Sequence, residues 1–555
     1  MHGEMAFSYN LLLLLPFAAL ALFWWRPRVA ALARHVRSMA TLLHLLIAVK
    51  LKGREVRGSP WSVADEFAIR VRRTPTRTAM VMTDGGAMTF LQVDAWSNKV
   101  ARWAMEQNLK PNDVVATYMP SCCEFVVLWL GLAKVGVTAA LVNTTLVGQS
   151  LSQAFETALD GMPRNRIIVF GAPGVDETVV GALPGVRFYS YLGEKRRAAA
   201  AADGGDGGIG SSTIGDRGTP VVSLDEALAK CCATFGQGVL RAARHAVRYD
   251  STLFLIYTSG TTGRAKASKI THLRFWSAAT AMAVLTGASE EDRIYCTLPL
   301  CHASAGMMAV GTMMYAGTAL VIRPRFSASN FMIDCIAHRC TIVHYIGELM
   351  RYLLHTQPSP YDRQSRIRVA FGNGLRPEVW GPFQTRFAVP HVVEFYGSTE
   401  GNVNLFNNTG TVGAIGIVPW YASFLYPIKL MQWDAEAGAL VRGKDGRCVP
   451  CGPGESGQLL GLINPHDPSR AFDGYTDARA TSAKVVRGVC HENDSFFVSG
   501  DILRRDGFGY YYFVDRVGES FRWKGENVST CDVQEVGWGT WTEGAMVLLT
   551  TDRRT

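Results

Sequence analysis

The chain is 555 residues long, 48% hydrophobic and 19% charged, a balance that can bury large cores and excludes wholesale disorder. At about 150 residues per domain, this length suggests three to four structural units. The net charge of +9 would fit a nucleic-acid binder, but eight bases and two acids lie in residues 1–57, leaving 48 Lys+Arg against 45 Asp+Glu in the body. At +3 that body offers no phosphate-backbone footprint, and nucleic acid is excluded as a partner.

Residues 5–25, MAFSYNLLLLLPFAALALFWW, carry no charge. As a helix they would reach roughly 31 Å, the thickness of a bilayer's hydrocarbon core. Trp24 and Trp25 stand where an aromatic belt is expected, and Arg26 and Arg28 follow. A cleaved signal peptide would want bases before the run and small residues at its end, and the sequence has neither; a buried helix is the other reading. The expectation is an N-terminal transmembrane helix, single-pass, with everything after it cytosolic, in the plasma membrane or endoplasmic reticulum. Met39–Val49 is too short to span, and its flanking bases (Arg34, Arg37, Lys50, Lys52, Arg54 and Arg57) predict a helix lying on anionic headgroups. Residues 1–57 are therefore expected to form a membrane anchor and a basic amphipathic collar, with membrane lipid as partner.

From about Trp61 to Val536, helical stretches alternate with short β-branched runs: Val114–Tyr118, Arg166–Phe170, Leu253–Tyr257, Thr318–Ile322, Thr341–Tyr345 and His391–Glu394. Alternation of this kind predicts an α/β fold with parallel sheets covered by helices. Ala198–Ser212 is low-complexity and reads, from about 195 to 220, as a solvated surface insertion. Strand-like runs and Gly-centred turns over Val485–Tyr512 predict a small β-rich subdomain. Twelve cysteines without a disulfide-like spacing fit a cytosolic body, and Cys448-Val-Pro-Cys451 reads as a proline turn with buried thiols rather than a zinc or redox pair.

The sharpest local feature is LFLIYTSGTTGRAKAS, Leu253–Ser268. A buried strand ending at Tyr257 delivers Thr258, Ser259, Gly260, Thr261, Thr262 and Gly263, followed by Lys266. Small residues let backbone N–H groups approach phosphate oxygens, hydroxyls donate further hydrogen bonds, and the lysine adds charge. No Gly-Lys-Ser/Thr ends the loop, so it is not the P-loop of the ATPases.

This string resembles the signature of the adenylate-forming (AMP-binding) superfamily. LPLCHASAG (298–306), FGNGLRPEVW (371–380), EFYGSTEGN (394–402), FDGY (472–475), SGDIL (499–503) and DRVGESFRWKGENVST (515–530) narrow the resemblance to the fatty acid transport protein and very-long-chain acyl-CoA synthetase family. The resemblance implies the family's large N-terminal domain over 58–517, two parallel-type α/β subdomains plus a small β-rich one. It implies ATP, Mg²⁺ and coenzyme A, a fatty acid substrate, and room for a homo-oligomer.

Residue by residue, it implies that the 257–263 segment and Lys266 hold the triphosphate. Gly372, Asn373 and Gly374 would border the adenine, with Tyr396 stacking on it. Gly397, Ser398 and Thr399 would meet phosphate, and Glu400 would ligate Mg²⁺. Asp501 would accept the ribose hydroxyls, Arg516 would reach ribose and phosphate, and Lys524 would sit in the hinge-proximal loop of the nucleotide site. Lys266, Thr399, Glu400 and Arg516 are the catalytic candidates, and His302 would lie between acyl tunnel and nucleotide. Met307, Met308, Val310, Met313 and Met314 would line that tunnel or pack as ordinary core.

The implied activity is that of a long-chain or very-long-chain fatty acid–CoA ligase, with activation coupled to uptake. Cys301 and Ala265 depart from the Tyr and Pro usual in relatives. The resemblance fades past Val536, so 518–555 reads as the hinge, at Gly518, and an aberrant remnant of the small C-terminal domain. The alternative expectation is accordingly a catalytically impaired fatty acid binding or transport protein that retains the nucleotide site. Bile acids or other hydrophobic acids are a third substrate reading.

Overall fold

The computed structural model describes residues 35–36, 38–160, 166–193, 212–214, 219–234, 237–258, 266–419, 426, 428–465, 467, 470–517, 520–523 and 526–529. The expected membrane-spanning run 5–25 lies outside these residues. Among the described residues no helix is long and apolar enough to cross a membrane. The chain divides into a short unit, Met1–Leu51, and a large one, Lys52–Thr555. The predicted collar helix is present over 38–56. In the short unit Val36, Leu43, Ile47 and Leu51, spaced to share one helical face, are all exposed. Lys52 departs from the expected collar. Its ammonium pairs with Glu66 at 2.7 Å and Glu55 at 3.1 Å, so it is committed within the large unit.

The large unit is organised by three sheets. The first begins with β1 (Thr78–Met82) and β2 (Ala87–Thr89). The chain then leaves it to build the whole second sheet: β3 (Val114–Tyr118), β4 (Thr138–Leu141), β5 (Ile167–Phe170), β6 (Arg187–Ser190), β7 (Ser212–Ile214), β8 (Thr219–Ser223), β9 (Thr252–Thr258) and β10 (Lys266–Thr271). It returns with β11 (Arg293–Cys296), β12 (Ala319–Ile322), β13 (Ile342–Ile346), β14 (Val369–Asn373), β15 (His391–Gly397) and β16 (Asn404–Asn407). The strand orders are β16-β15-β14-β13-β11-β12-β1-β2 and β10-β9-β4-β3-β5-β6-β8-β7. Both are parallel inside and close at each edge with an antiparallel strand.

Each expected strand run lies in one of these two sheets. The helix Cys123–Lys134 is buried along nearly its whole length, which is why its sequence is apolar without a polar face. Val221 of β8 joins the second sheet's core beside Phe188 and Ile168. The end of the expected insertion is thus an edge ribbon, β7 on β8, that caps the sheet.

The third sheet is antiparallel. Its strands are β17 (Gly416–Ile417), β18 (Ile428–Met431), β21 (Ser456–Leu462), β22 (Val485–Arg487), β23 (Ser495–Arg505) and β24 (Tyr510–Arg516), and the ribbon β19 (Trp433–Asp434) with β20 (Ala439–Leu440) lies between the second and third of these in sequence. The β-rich segment anticipated at 485–512 supplies only its last three strands. β21 buries both faces, Leu459 in one core and Leu460 in the next, and pairs with β23 through Gln458↔Ile502 and Leu460↔Val498. Cys448 and Cys451 fall into two neighbouring cores of this sheet. Burial raises both thiols, Cys451 to about 11, as expected for packed side chains.

Candidate active site

Strand ends from all three sheets deliver the residues singled out by sequence. β9 and β10 run antiparallel with Thr258 opposite Lys266. Ser259, Gly260, Thr261, Thr262 and Gly263 lie outside the described residues, as does Lys524. β9 runs one residue beyond the expected end, to Thr258; the buried Tyr257 hydroxyl has no hydrogen-bond partner among the described residues, and burial pushes its pKa well up.

Lys266 holds its Nζ 5.9 Å from the ring centroid of Tyr475. The FDGY segment is fastened alongside β10: Lys269 donates to the Gly474 carbonyl at 3.0 Å and Thr476 to that of Ala267 at 2.9 Å. Tyr475 has the Glu400 carboxylate and Thr258 hydroxyl as hydrogen-bonding neighbours, and burial followed by Glu400 raises its pKa.

A second group forms where the first and third sheets meet. The Tyr396 hydroxyl donates to Asp501 Oδ2 at 2.5 Å, while Asp501 Oδ1 faces Arg516 Nε at 3.6 Å. Asp501 and Arg516 are directly opposed on β23 and β24. Burial first, then the Asp501 carboxylate, pushes the Tyr396 phenol well above its ordinary pKa.

Gly372, Asn373 and Gly374 leave the end of β14, flanked in register by Tyr345 of β13 and Glu394 of β15. Glu394 is buried and accepts from the Tyr345 hydroxyl at 2.5 Å and the Leu375 N–H at 3.0 Å, fixing the loop's exit. Gly397 ends β15 and Ser398–Glu400 follow it, with the Ser398 hydroxyl accepting from Gly401 N at 3.1 Å. His302 stands apart, at the start of a π-helical turn over Ser304–Ala309. The turn reaches the same strand system through Ser304 Oγ and His344 Nε2, 2.9 Å apart. Met307, Val310, Met313 and Met314 are buried.

The AMP-binding enzyme family matches residues 67–460. Long-chain fatty acid transport protein 1 of Bos taurus is 39% identical over 501 residues, covering 89% of this chain and 73% of that protein. Long-chain fatty acid transport protein 5 of Homo sapiens is 34% identical over 529 residues, 92% of this chain and 71% of that protein. This chain belongs to the AMP-binding enzymes, in the branch of the fatty acid transport proteins. Solved structures share the fold at lower identity. The anthranilate CoA ligase AuaEII in complex with anthranoyl-AMP superposes with TM-score 0.65 at 19% identity, over 85% of this chain and 81% of that one. ATP-bound MatB from Rhodopseudomonas palustris gives 0.60 at 20% identity, over 86% and 84%.

In this AMP-binding enzyme three further side chains shape the site without having been given roles from sequence. Tyr475 was visible only as the last letter of FDGY. Lys484 lies beside β22, within electrostatic reach of Glu400, Arg516, Asp501 and Lys266. Arg274 opens the helix His272–Thr286 and spends its guanidinium on the segment after β15, donating to the Ser398 and Glu400 carbonyls at 3.2 Å each and to that of Gly401. A single arginine in an otherwise apolar helix carries no periodic signal that would distinguish it from a surface residue.

Among the described residues no cluster of three or more His, Cys, Asp or Glu side chains could hold a metal. One buried carboxylate, Glu400, suits Mg²⁺, which keeps waters and takes phosphate oxygens rather than a protein cage.

Gly347 offers a separate test of the adenine-side loop. A Cβ there would stand 1.8 Å from the Gly374 carbonyl oxygen and 2.8 Å from Leu375 N, so the loop must move. The G347A variant is expected to melt at a lower temperature, because the clash is with backbone, and to bind adenosine roughly tenfold more weakly when assayed well below that temperature. Unaltered adenosine affinity would show that the 372–375 loop does not border the base.

Proposed function

We propose that this protein activates long- or very-long-chain fatty acids to acyl-CoA at the expense of ATP, and that activation drives uptake. The observation that carries the reading is the convergence of Lys266, Glu400, Tyr396, Asp501 and Arg516 from three sheets, in a chain 39% identical to a long-chain fatty acid transport protein. In the first step a carboxylate oxygen attacks the α-phosphorus of ATP. The bond to the bridging oxygen breaks, and pyrophosphate leaves with the acyl adenylate formed. In the second, the thiol of coenzyme A attacks the acyl carbonyl and AMP departs.

The first step gathers negative charge around phosphorus. In this reading Lys266 and Arg516 oppose that charge. Asp501 and the 372–374 loop orient the nucleoside, and His302 faces the acyl side. Glu400 would hold Mg²⁺, whose charge supports the departing phosphates.

Membrane attachment rests on residues 5–25 and on the collar helix. Leu43, Ile47 and Leu51 face solvent beside exposed Lys50, the composition of a helix lying at an anionic headgroup surface. Product made there cannot diffuse back through the bilayer as the free acid does.

The decisive experiment is fatty-acid-dependent ATP–pyrophosphate exchange, together with acyl-CoA formation, for the parent and E400Q. The parent is expected to exchange and the variant to lose about a hundredfold or more. A parent that binds ATP and fatty acid without exchange would favour the lipid-binding alternative.

A further inference from the structure

Lys484 is a cation at this site with no partner for its ammonium among the described residues. Its carbonyl accepts from Val498 N at 2.9 Å, one residue beyond the pairing of Val485 with Phe497. That bond seats it against the strand that carries Asp501 three residues on. A methyl group built on Gly500 would stand 3.6 Å from its Nζ. The ammonium therefore lies beside the glycine that immediately precedes Asp501.

The neighbouring cations each have a partner within the protein. Arg516 faces Asp501, Lys266 lies over the Tyr475 ring, and Arg274 is spent on carbonyls. Among the described residues no hydrogen bond or ion pair occupies the Lys484 ammonium. Burial lowers its pKa, with Glu400 pulling it back up; a partly desolvated ammonium gains most from an anion brought within reach.

We infer that Lys484 binds a non-bridging oxygen of the α-phosphoryl group of the bound nucleotide, the group at which the acyl carboxylate reacts. The inference rests on the nucleotide-activating reading and adds a residue to it. Its position selects the α-phosphate. Both Asp501, at the ribose end by the proposed reading, and Glu400, at the metal end, lie within electrostatic reach of its ammonium. The anionic group lying between a ribose and metal-bound phosphates is the first phosphate of the chain. The same contact would persist in the acyl adenylate and in AMP.

Calorimetric titration of the full chain separates the outcomes, using adenosine, AMP, ATP and inorganic pyrophosphate as probes against the parent, K484M, K484R and D501N. Loss of one charge-assisted contact is expected to weaken AMP and ATP about ten- to hundredfold in K484M. Adenosine and pyrophosphate should be unchanged, and K484R should recover most of the loss. AMP affinity unchanged in K484M would overturn the inference, and so would an equal loss for adenosine, which marks a structural role. Weakened pyrophosphate with unaffected AMP would overturn it as well, moving the lysine to the leaving group. D501N tests the underlying reading independently. If it leaves adenosine binding intact, the nucleoside site itself is misplaced and the Lys484 assignment falls with it.

Discussion

Replacing Arg274 with methionine is expected to cost about 3–5 kcal/mol of stability and to reduce adenylate formation at least a hundredfold. The guanidinium is only 18% exposed and lies 3.9 Å from Asp473. Its donors satisfy three consecutive-loop carbonyls, those of Ser398, Glu400 and Gly401. Methionine fills similar volume but leaves those acceptors unpaired and strands a buried carboxylate, whose pKa burial already raises against the pull of Arg274. The segment bearing Thr399 and Glu400 would lose its only described anchor to that helix, and displacement by about 1 Å is enough to cost two orders of magnitude in rate. R274K separates the two effects. It restores one charge beside Asp473 but cannot serve three carbonyls from a planar fork, so melting temperature should partly recover while exchange activity stays low. Melting and exchange within threefold of the parent for R274M would remove Arg274 from the site's architecture.

Acid should destabilise the protein before its carboxylates titrate. His272 and His344 are fully buried and burial pushes both pKa values down to about 3. His272 Nδ1 accepts from the Val63 N–H at 3.3 Å, which requires an unprotonated nitrogen; Asp65 favours a positive ring and Arg244 opposes it, and burial outweighs both. His344 meets Ser304 through Nε2, and its Nδ1 has no partner among the described residues.

In the unfolded chain each imidazole titrates near pH 6.5. The folded value is the lower one, so the unfolded state binds more protons between about pH 6.5 and 3. Stability from these residues is complete above pH 6.5 and is lost as pH falls through that window, at about 1.4 kcal/mol per unit for each histidine. Two histidines give roughly 5 kcal/mol by about pH 4.5. The interval from pH 6.5 to 5 isolates them, because exposed carboxylates protonate below it. Urea-unfolding midpoints should fall steeply there, with a shallower fall in H344Q. A flat midpoint from pH 7 to 5 would sink the argument.

Legibility from sequence followed physical distinctness. β9 with its Thr/Ser/Gly turn, the Gly372–Gly374 run and the Tyr396–Glu400 segment each combine a buried strand with residues that would be wasteful in a core, so they announce themselves one segment at a time. Their convergence rests on strand order, and parallel strands with helical crossovers bring their carboxyl ends to one edge.

The rest was hidden for reasons of pairing. Sheet-three strands at 416–462 look like turn-rich coil until β21 finds β23 forty residues later. Arg274 reads as a helix surface residue, Lys484 as one more scattered base, and Tyr475 as a turn. Each acquires meaning only through a neighbour more than seventy residues away or, for Lys484, through an antiparallel pairing that turns it inward. Lys52 shows the converse: counted with a membrane collar by composition, it is neutralised by Glu66.

The interleaving of the two large sheets also sets a timetable for synthesis. β1 pairs in parallel with β12 through Met80↔Leu320, partners 240 residues apart, and the complete second sheet is translated between them. At ribosomal speeds of about 5–20 residues per second, β1 waits roughly ten to fifty seconds for its neighbour. During that time the second sheet can finish and fold as a unit, while an apolar strand, TAMVM, stays without its long-range partner. The emerging chain is therefore a client for chaperones at one particular stage, after β10 has left the ribosome and before β12 has.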